Sequence, residues 1–162
     1  TLPNASPLPV VREAIETQAT LLMDRHHCVF LGGDHSVTLS LLRVAKARLG
    51  QSLGLVHFDA HCDTWSDHFG EPSGHGTWTF EAIQEGLISP AHTVQIGIRS
   101  SGERAAREYV ADQGGEIFTA RALRGRDGAG LASVVSSIRQ RMGDRPQHIL
   151  QQVLFVPGRT AQ

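Results

Sequence analysis

Short apolar runs alternate with longer amphipathic segments along most of this chain, and the alternation restricts the possible folds more than any other feature. Short apolar runs bounded by glycine or polar residues are typical of strands, whereas apolar residues at three- and four-residue spacing are typical of helices. The predicted strands cover residues 28–33, 53–58, 93–98 and 116–120. The predicted helices cover residues 9–26, 36–49, 79–87, 103–113 and 131–142.

The order of these segments predicts an α/β fold of three layers, αβα, around a mainly parallel sheet. Strands separated by helices of about ten residues indicate βαβ units. The strands are continuously apolar rather than alternating, which is expected when helices cover both faces of the sheet.

The composition excludes several classes of protein. Hydrophobic residues make up 40% of the 162 residues and charged residues 19%, which is enough for a core and argues against disorder. A formal net charge of −1 predicts neither a nucleic-acid partner nor binding to an anionic membrane. No apolar stretch approaches the roughly 20 residues of a membrane span, and no signal-peptide pattern is present. With two cysteines and no disulfide framework, we expect a cytoplasmic protein.

Acidic residues and histidines collect just after two of the predicted strands. Asp59, His61 and Asp63 in "DAHCD" follow one strand, and Asp34 and His35 in "GGDHS" follow another. Ligands of parallel sheets collect at the carboxyl ends of the strands. If the chain stays extended past the strand, residues spaced by two point to one side and converge.

Mixed imidazole and carboxylate ligands suit manganese, iron, cobalt, nickel or zinc, so the cluster predicts a divalent metal site. The simpler alternative is a solvated loop in which Asp34 caps the next helix or orients His35. The parity of Cys62 turns it away from the cluster, and we interpret it as a packing residue. His57 has no pattern that separates it from ordinary histidines.

Three ordered motifs resemble the ureohydrolases, the family of arginases and agmatinases. They read "LGGDHSVTL", "LVHFDAHCDTW" and "SGHGTWTFEAIQEGLI", and the match continues into "TVQIGIRS". The resemblance covers residues 28–101 and weakens towards residue 145. It implies an arginase-like fold, a centre with two Mn²⁺ ions, and hydrolysis of a guanidinium group to urea and an amine.

The resemblance also implies a role for five residues of this chain. His35 matches a ligand of one metal, and Asp59 matches the carboxylate that bridges both metals. Asp63 matches a further ligand of the metal that His35 binds, and His61 matches a ligand of the second metal. His75 matches a catalytic histidine that binds no metal and carries a proton to the leaving amine.

Two features depart from the family pattern or narrow the match within it. Family members often have proline after "HGT", where this chain has Trp78. The indole can reshape the mouth of the pocket, stack on a guanidinium, or simply pack in the core. The loop that follows Asp63 lacks the asparagine and serine pattern with which arginases hold an α-amino acid. It is closer to agmatinases and guanidinobutyrases, and Asp67 or Glu71 can either meet a charged substrate tail or be solvated.

The last residues lack a motif that the resemblance leads us to expect. An Asp-x-Asp pair with further metal ligands should follow "MGDRP", but no Asp or Glu follows Asp144. We therefore expect a partial ureohydrolase domain over residues 1–146, truncated at both ends, and a tail over residues 147–162 that does not match the family. The second manganese site is expected to be deficient, and the chain alone should release little urea.

The primary hypothesis is an agmatinase-like ureohydrolase segment that acts on a small guanidino substrate such as agmatine or guanidinobutyrate. Because members of the resembled family commonly form oligomers, the resemblance implies a homo-oligomer for the complete protein. One alternative is a non-catalytic metal-binding remnant. Another is a mononuclear zinc amidohydrolase.

Overall fold

Four parallel strands form one sheet at the centre of the computed structural model, which describes residues 6–67 and 70–143 and the backbone of residues 147–151. The strand order is β3-β2-β1-β4, and all three pairings are parallel. The strands are β1 (Leu53–Phe58), β2 (Ile88–Ile98), β3 (Glu116–Thr119) and β4 (Gln147–Gln151). The prediction of a parallel sheet is confirmed.

Six helices lie between or before the strands of the described chain. They are α1 (Leu8–Met23), α2 (Val37–Leu49), α3 (Trp78–Gln84), α4 (Arg104–Asp112), α5 (Ala120–Leu123) and α6 (Gly128–Met142). The five predicted helices correspond to all of these except α5, with ends shifted by at most three residues. Each of these helices is too short or too polar to span a bilayer.

The two faces of the sheet carry separate apolar clusters, which confirms the three-layer arrangement. On one face Leu53 and Leu55 of β1 pack with residues of α2, α3 and α4. On the other face Val56 of β1 packs with Val94 of β2 and Met142 of α6. Successive residues of a strand point to opposite faces, so one strand contributes to both cores.

The predicted strand over residues 28–33 is wrong. The segment is not assigned to any strand, and it pairs with none of the strands that the structure describes. Val29 and Leu31 are 84% and 96% exposed. An apolar run becomes a strand only when a neighbouring backbone supplies hydrogen bonds, and no described segment does so here.

A strand at the far edge was not predicted. The backbone of β4 pairs with β1 from Gly54 to Phe58, and it therefore lies beside the segment that leads into "DAHCD". The division of the chain at residues 146 and 147 stays a prediction.

Candidate metal centre

The carboxyl end of β1 places Asp59 at the edge of the sheet. The backbone N–H of Asp59 still donates to the carbonyl of Ile96 in β2, over 3.0 Å. The chain then turns, and the carbonyl of Ala60 accepts from both Arg99 and Ser100 at 2.9 Å. Beyond the turn Asp63 has a φ of 52°. The condition of an extended chain past β1 is therefore not met, and tertiary contacts rather than strand alternation bring Asp59 and Asp63 together.

Four side chains converge at this point: those of His35, His57, Asp59 and Asp63. One potential ligand atom from each lies within 4.8 Å of the corresponding atoms of the others. His35 Nδ1 lies 3.0 Å from Asp63 Oδ2 and 3.4 Å from Asp59 Oδ2. Both carboxylates are buried. Two buried carboxylates beside an imidazole fit a divalent cation, because a cation offsets the cost of removing their charges from water.

The Nδ1 atom of His35 supports this interpretation. It is buried and, among the residues that the structure describes, it has no hydrogen-bond partner of acceptable geometry despite the two nearby carboxylates. Buried polar atoms in native proteins are normally paired. An imidazole nitrogen without a partner that faces two carboxylates fits a metal ligand, and the donor set is consistent with Mn²⁺ or a similar ion.

His57 belongs to the cluster, although no sequence pattern separates it from ordinary histidines. It is fully buried, and its Nε2 lies 3.2 Å from Asp59 Oδ2. Gln95 Nε2 donates to His57 Nδ1 at 3.1 Å and to the carbonyl of Cys62 at 2.7 Å. Because His57 Nδ1 accepts, Nε2 carries the proton and donates to Asp59. His57 therefore orients the Asp59 carboxylate, and its position two residues before Asp59 was the signal available in the sequence.

The Asp59 carboxylate is held in its ionised form. Burial by itself raises the pKa of Asp59, but hydrogen bonds from His57 and from the backbone of His61, with the nearby imidazoles, lower that pKa below its usual value. The backbone N–H of His61 donates to Asp59 Oδ1 at 2.9 Å. An ionised carboxylate with hydrogen bonds to both oxygens is a rigid ligand for a cation.

His61 and His75 are more exposed than His35, whose side chain is 10% exposed. The side chain of His61 is 46% exposed, and its Nδ1 is 3.4 Å from Asp59 Oδ1. The side chain of His75 is 56% exposed, and its Nδ1 is 3.5 Å from Asp34 Oδ2. Burial raises the pKa of Asp34, but hydrogen bonds from Ser36 and the proximity of His75 lower it below its usual value. His75 therefore faces solvent beside an ionised carboxylate.

A cleft of about 790 Å³ connects these residues to solvent. It is lined by four of the predicted site residues, which are His35, His61, Asp63 and His75. The acidic residues Asp34, Asp67 and Glu103 and the aromatic residue Trp65 also line it. The described lining contains neither lysine nor arginine. The cleft is therefore suited to a cationic ligand.

Trp78 does not reach this cleft. Its side chain is fully buried in the core between the sheet and α2. The interpretations that place it at the pocket mouth or against a guanidinium are wrong, and the packing interpretation is correct. Its indole N–H also donates to Asp63 Oδ2 at 2.7 Å, a contact that the sequence did not indicate. Cys62 is fully buried with a free thiol, as its interpretation as a packing residue requires.

Comparison with known proteins identifies relatives over most of the chain. A model of the arginase family matches residues 2–150. An agmatinase of Chromobacterium violaceum is 43% identical over 95 residues, which are 59% of this chain and 30% of that protein. An agmatinase of Proteus mirabilis is 36% identical over 85% of this chain and 42% of its own length. The chain thus spans less than half the length of these curated relatives.

Solved structures share the fold. Proclavaminate amidino hydrolase from Streptomyces clavuligerus superposes with a TM-score of 0.74 at 32% identity, over 90% of this chain and 48% of that one. A hypothetical agmatinase from Burkholderia thailandensis superposes with a TM-score of 0.73 at 31% identity, over 86% of this chain and 42% of that one. These similarities confirm the predicted arginase-like arrangement of sheet and helices.

Proposed function

Because this chain belongs to the arginase family, a family of hydrolases that act on C–N bonds of linear amidines, we propose that it forms part of a metal-dependent ureohydrolase. The proposed reaction converts a small guanidino compound of the agmatine or guanidinobutyrate type to urea and an amine. The observation that carries the proposal is the convergence of His35, Asp59 and Asp63 beside the carboxyl end of β1.

The proposed metal ions are two Mn²⁺ in a complete site, held in this chain by His35, Asp59, Asp63 and His61. When bound, such a pair supplies an activated water near neutral pH. The two oxygens of Asp59 face different histidines, Oδ2 facing His35 and Oδ1 facing His61, which supports the bridging role that the family resemblance implies. The roles of these ligands and of His75 stay predictions.

The charges along the cleft support a guanidinium substrate. Asp34, Asp67 and Glu103 are the acids that line it besides Asp63, and a guanidinium remains protonated at neutral pH. His75 is exposed in the same cleft and can give a proton to a departing amine nitrogen. Agmatine and guanidinobutyrate differ only in the tail, and both remain candidates.

Manganese binding tests the metal half of the proposal. Equilibrium dialysis of the 162-residue chain against Mn²⁺ should show bound metal that is lost in Asp63→Ala. The exposed α4 carboxylate variant Asp112→Ala is the matched control and should bind as the wild type does. Equal binding by Asp63→Ala and the wild type would contradict the assigned site. One tightly held zinc would favour the mononuclear amidohydrolase alternative.

Calorimetric titration tests the substrate half without relying on turnover. The manganese-loaded chain is titrated with agmatine, 4-guanidinobutyrate and arginine, and butylamine serves as a control without a guanidinium. We expect binding of at least one guanidino compound and none of butylamine. If butylamine binds as well as the guanidino compounds do, recognition of the guanidinium is excluded.

A further inference from the structure

Asp63 is held in an unusual backbone conformation by the start of α3. Its φ of 52° is the only positive value of a non-glycine residue in the described part of the chain. Its carbonyl accepts from the backbone N–H groups of Thr79 and Phe80, at 3.0 Å and 3.3 Å. Left-handed conformations of such residues persist only where the surroundings impose them, and they are frequent at functional sites. The first turn of α3 therefore determines where Asp63 lies.

Trp78, at the first position of α3, determines in addition how the Asp63 side chain is turned. Its indole Nε1–H donates to Asp63 Oδ2 at 2.7 Å, in a fully buried environment. The indole N–H is only a donor, so it takes one acceptor position of the carboxylate and leaves the others. Hydrogen bonds to an ionised acceptor are stronger than those between neutral groups, and burial strengthens them further.

The Trp78 ring also contacts both histidines of the cluster. Its centroid lies 4.9 Å from that of His35 and 5.1 Å from that of His57. The centroids of the two imidazoles lie 5.4 Å apart, so the three rings pack as a triangle and the indole supports both histidines from the same side of the cluster. A phenyl ring in this position can fill much of the space, but it has no group that can hold Asp63.

We propose that Trp78 is a positioning residue that orients Asp63 and His35 for a divalent metal. The inference rests on the metal site of the proposed function, but it assigns a role to a residue that binds neither metal nor substrate. The indole N–H of Trp78 therefore supplies a side-chain contact that fixes Asp63.

The test is the affinity of the 162-residue chain for Mn²⁺ in Trp78→Phe, measured by titration calorimetry. Loss of a residue that orients a ligand typically weakens metal binding about 10- to 100-fold, and we expect a loss at the lower end of that range. Tyr109→Phe is the matched control. It removes a polar group from an aromatic residue of the same core, where the Tyr109 hydroxyl accepts from Gln84 Nε2 at 2.7 Å. The control should bind Mn²⁺ with wild-type affinity.

A second measurement examines the hydrogen bond in the metal-free chain. The two tryptophans produce two indole N–H resonances, which Trp78→Phe and Trp65→Phe assign. In Asp63→Ala the Trp78 resonance should shift strongly and the Trp65 resonance should shift little. This readout does not depend on metal and remains decisive if Trp78→Phe does not fold.

The outcomes separate this inference from the proposed function. Wild-type binding with an unchanged affinity in Trp78→Phe would overturn the role of Trp78 and leave the metal site intact. Absence of Mn²⁺ binding by the wild type would remove both. If the chemical shift of the Trp78 indole N–H is unchanged in Asp63→Ala, the hydrogen bond does not form in solution. The positioning role of Trp78 would then be contradicted.

Discussion

At the scale of single residues, the Asp59 side chain at the carboxyl end of β1 is held at both of its carboxylate oxygens. His57 holds one of its oxygens, and the backbone of His61 holds the other. His35 approaches from a separate segment. A carboxylate with so many neighbours has one available orientation, and its lowered pKa keeps it charged at neutral pH. His75 lies beside the Asp34 carboxylate and is largely exposed.

Asp59→Asn should reduce bound manganese much more than His75→Asn does. The first change removes a charged ligand from the centre of the cluster, whereas the second alters a residue assigned to proton transfer. Metal content of the purified variants, measured by inductively coupled plasma mass spectrometry, distinguishes the two roles. Equal losses of metal would contradict the division between ligand and proton carrier.

Gln95→Leu should lower the free energy of unfolding by about 1–3 kcal/mol, because it leaves buried polar atoms without partners. The side chain of Gln95 is fully buried, and its amide donates to both the Cys62 carbonyl and His57 Nδ1. Urea denaturation in the presence of a chelator measures the effect without metal. Gln140→Leu, at an exposed position of α6, is the control and should change stability little.

At the scale of the elements, the connection between α4 and β3 depends on a glycine without space for a side chain. A Cβ on Gly115 would lie 2.4 Å from Val110 Cγ1 and 2.7 Å from the carbonyl oxygen of Pro90. The sequence predicted that this helix ends at residue 113, directly before the two glycines of the turn. The structure shows why the second glycine, Gly115, is required: the turn lies so close to the end of α4 and to β2 that a side chain would not fit.

Gly115→Ala should therefore destabilise the protein by about 1–3 kcal/mol, the usual cost of forcing atoms into a filled space. Thermal unfolding followed by circular dichroism measures the change. Gly128→Ala is the matched control, because a Cβ at Gly128, in the first turn of α6, meets open space. A variant of Gly115 as stable as that of Gly128 would show that the turn can move away.

At the scale of the whole molecule, the apolar segment over residues 28–33 carries the two most exposed large apolar side chains of the described residues. Its Val29 and Leu31 side chains face solvent almost completely. Extended apolar segments without a backbone partner are prone to pair with other chains. The same residues lead directly into His35, so a segment that pairs with no strand of the described chain continues into a side chain of the candidate metal site.

A double variant, Val29→Thr with Leu31→Thr, should reduce self-association of the chain at high concentration without lowering its melting temperature. The reason is that the two side chains make little contact with the core while they offer apolar surface to other copies. Light scattering at increasing concentration measures the association. Leu131→Thr with Val135→Thr, two half-exposed residues of α6, is the control because the backbone there is already paired within the helix. A similar reduction in both double variants would indicate nonspecific stickiness.

The sequence by itself determined the layered parallel fold, because the spacing of apolar residues is a local property that differs between helices and strands. It also located the polar cluster, because acids and histidines stand immediately after β1 and before α2. The family resemblance agreed with the comparisons for the same reason, as its motifs are contiguous stretches of sequence.

Only the tertiary structure decided which side chains meet. It replaced the predicted strand over residues 28–33 with a segment that pairs with none of the described strands, because a strand requires a partner that lies elsewhere in the chain. It added His57 to the cluster and turned Trp78 into the core, where the indole N–H reaches Asp63. Some of these contacts join residues that are far apart in sequence, and others join residues between which the chain changes direction at a turn. Their geometry depends on how β1, α2 and α3 pack together, and no local pattern of residues specifies that packing.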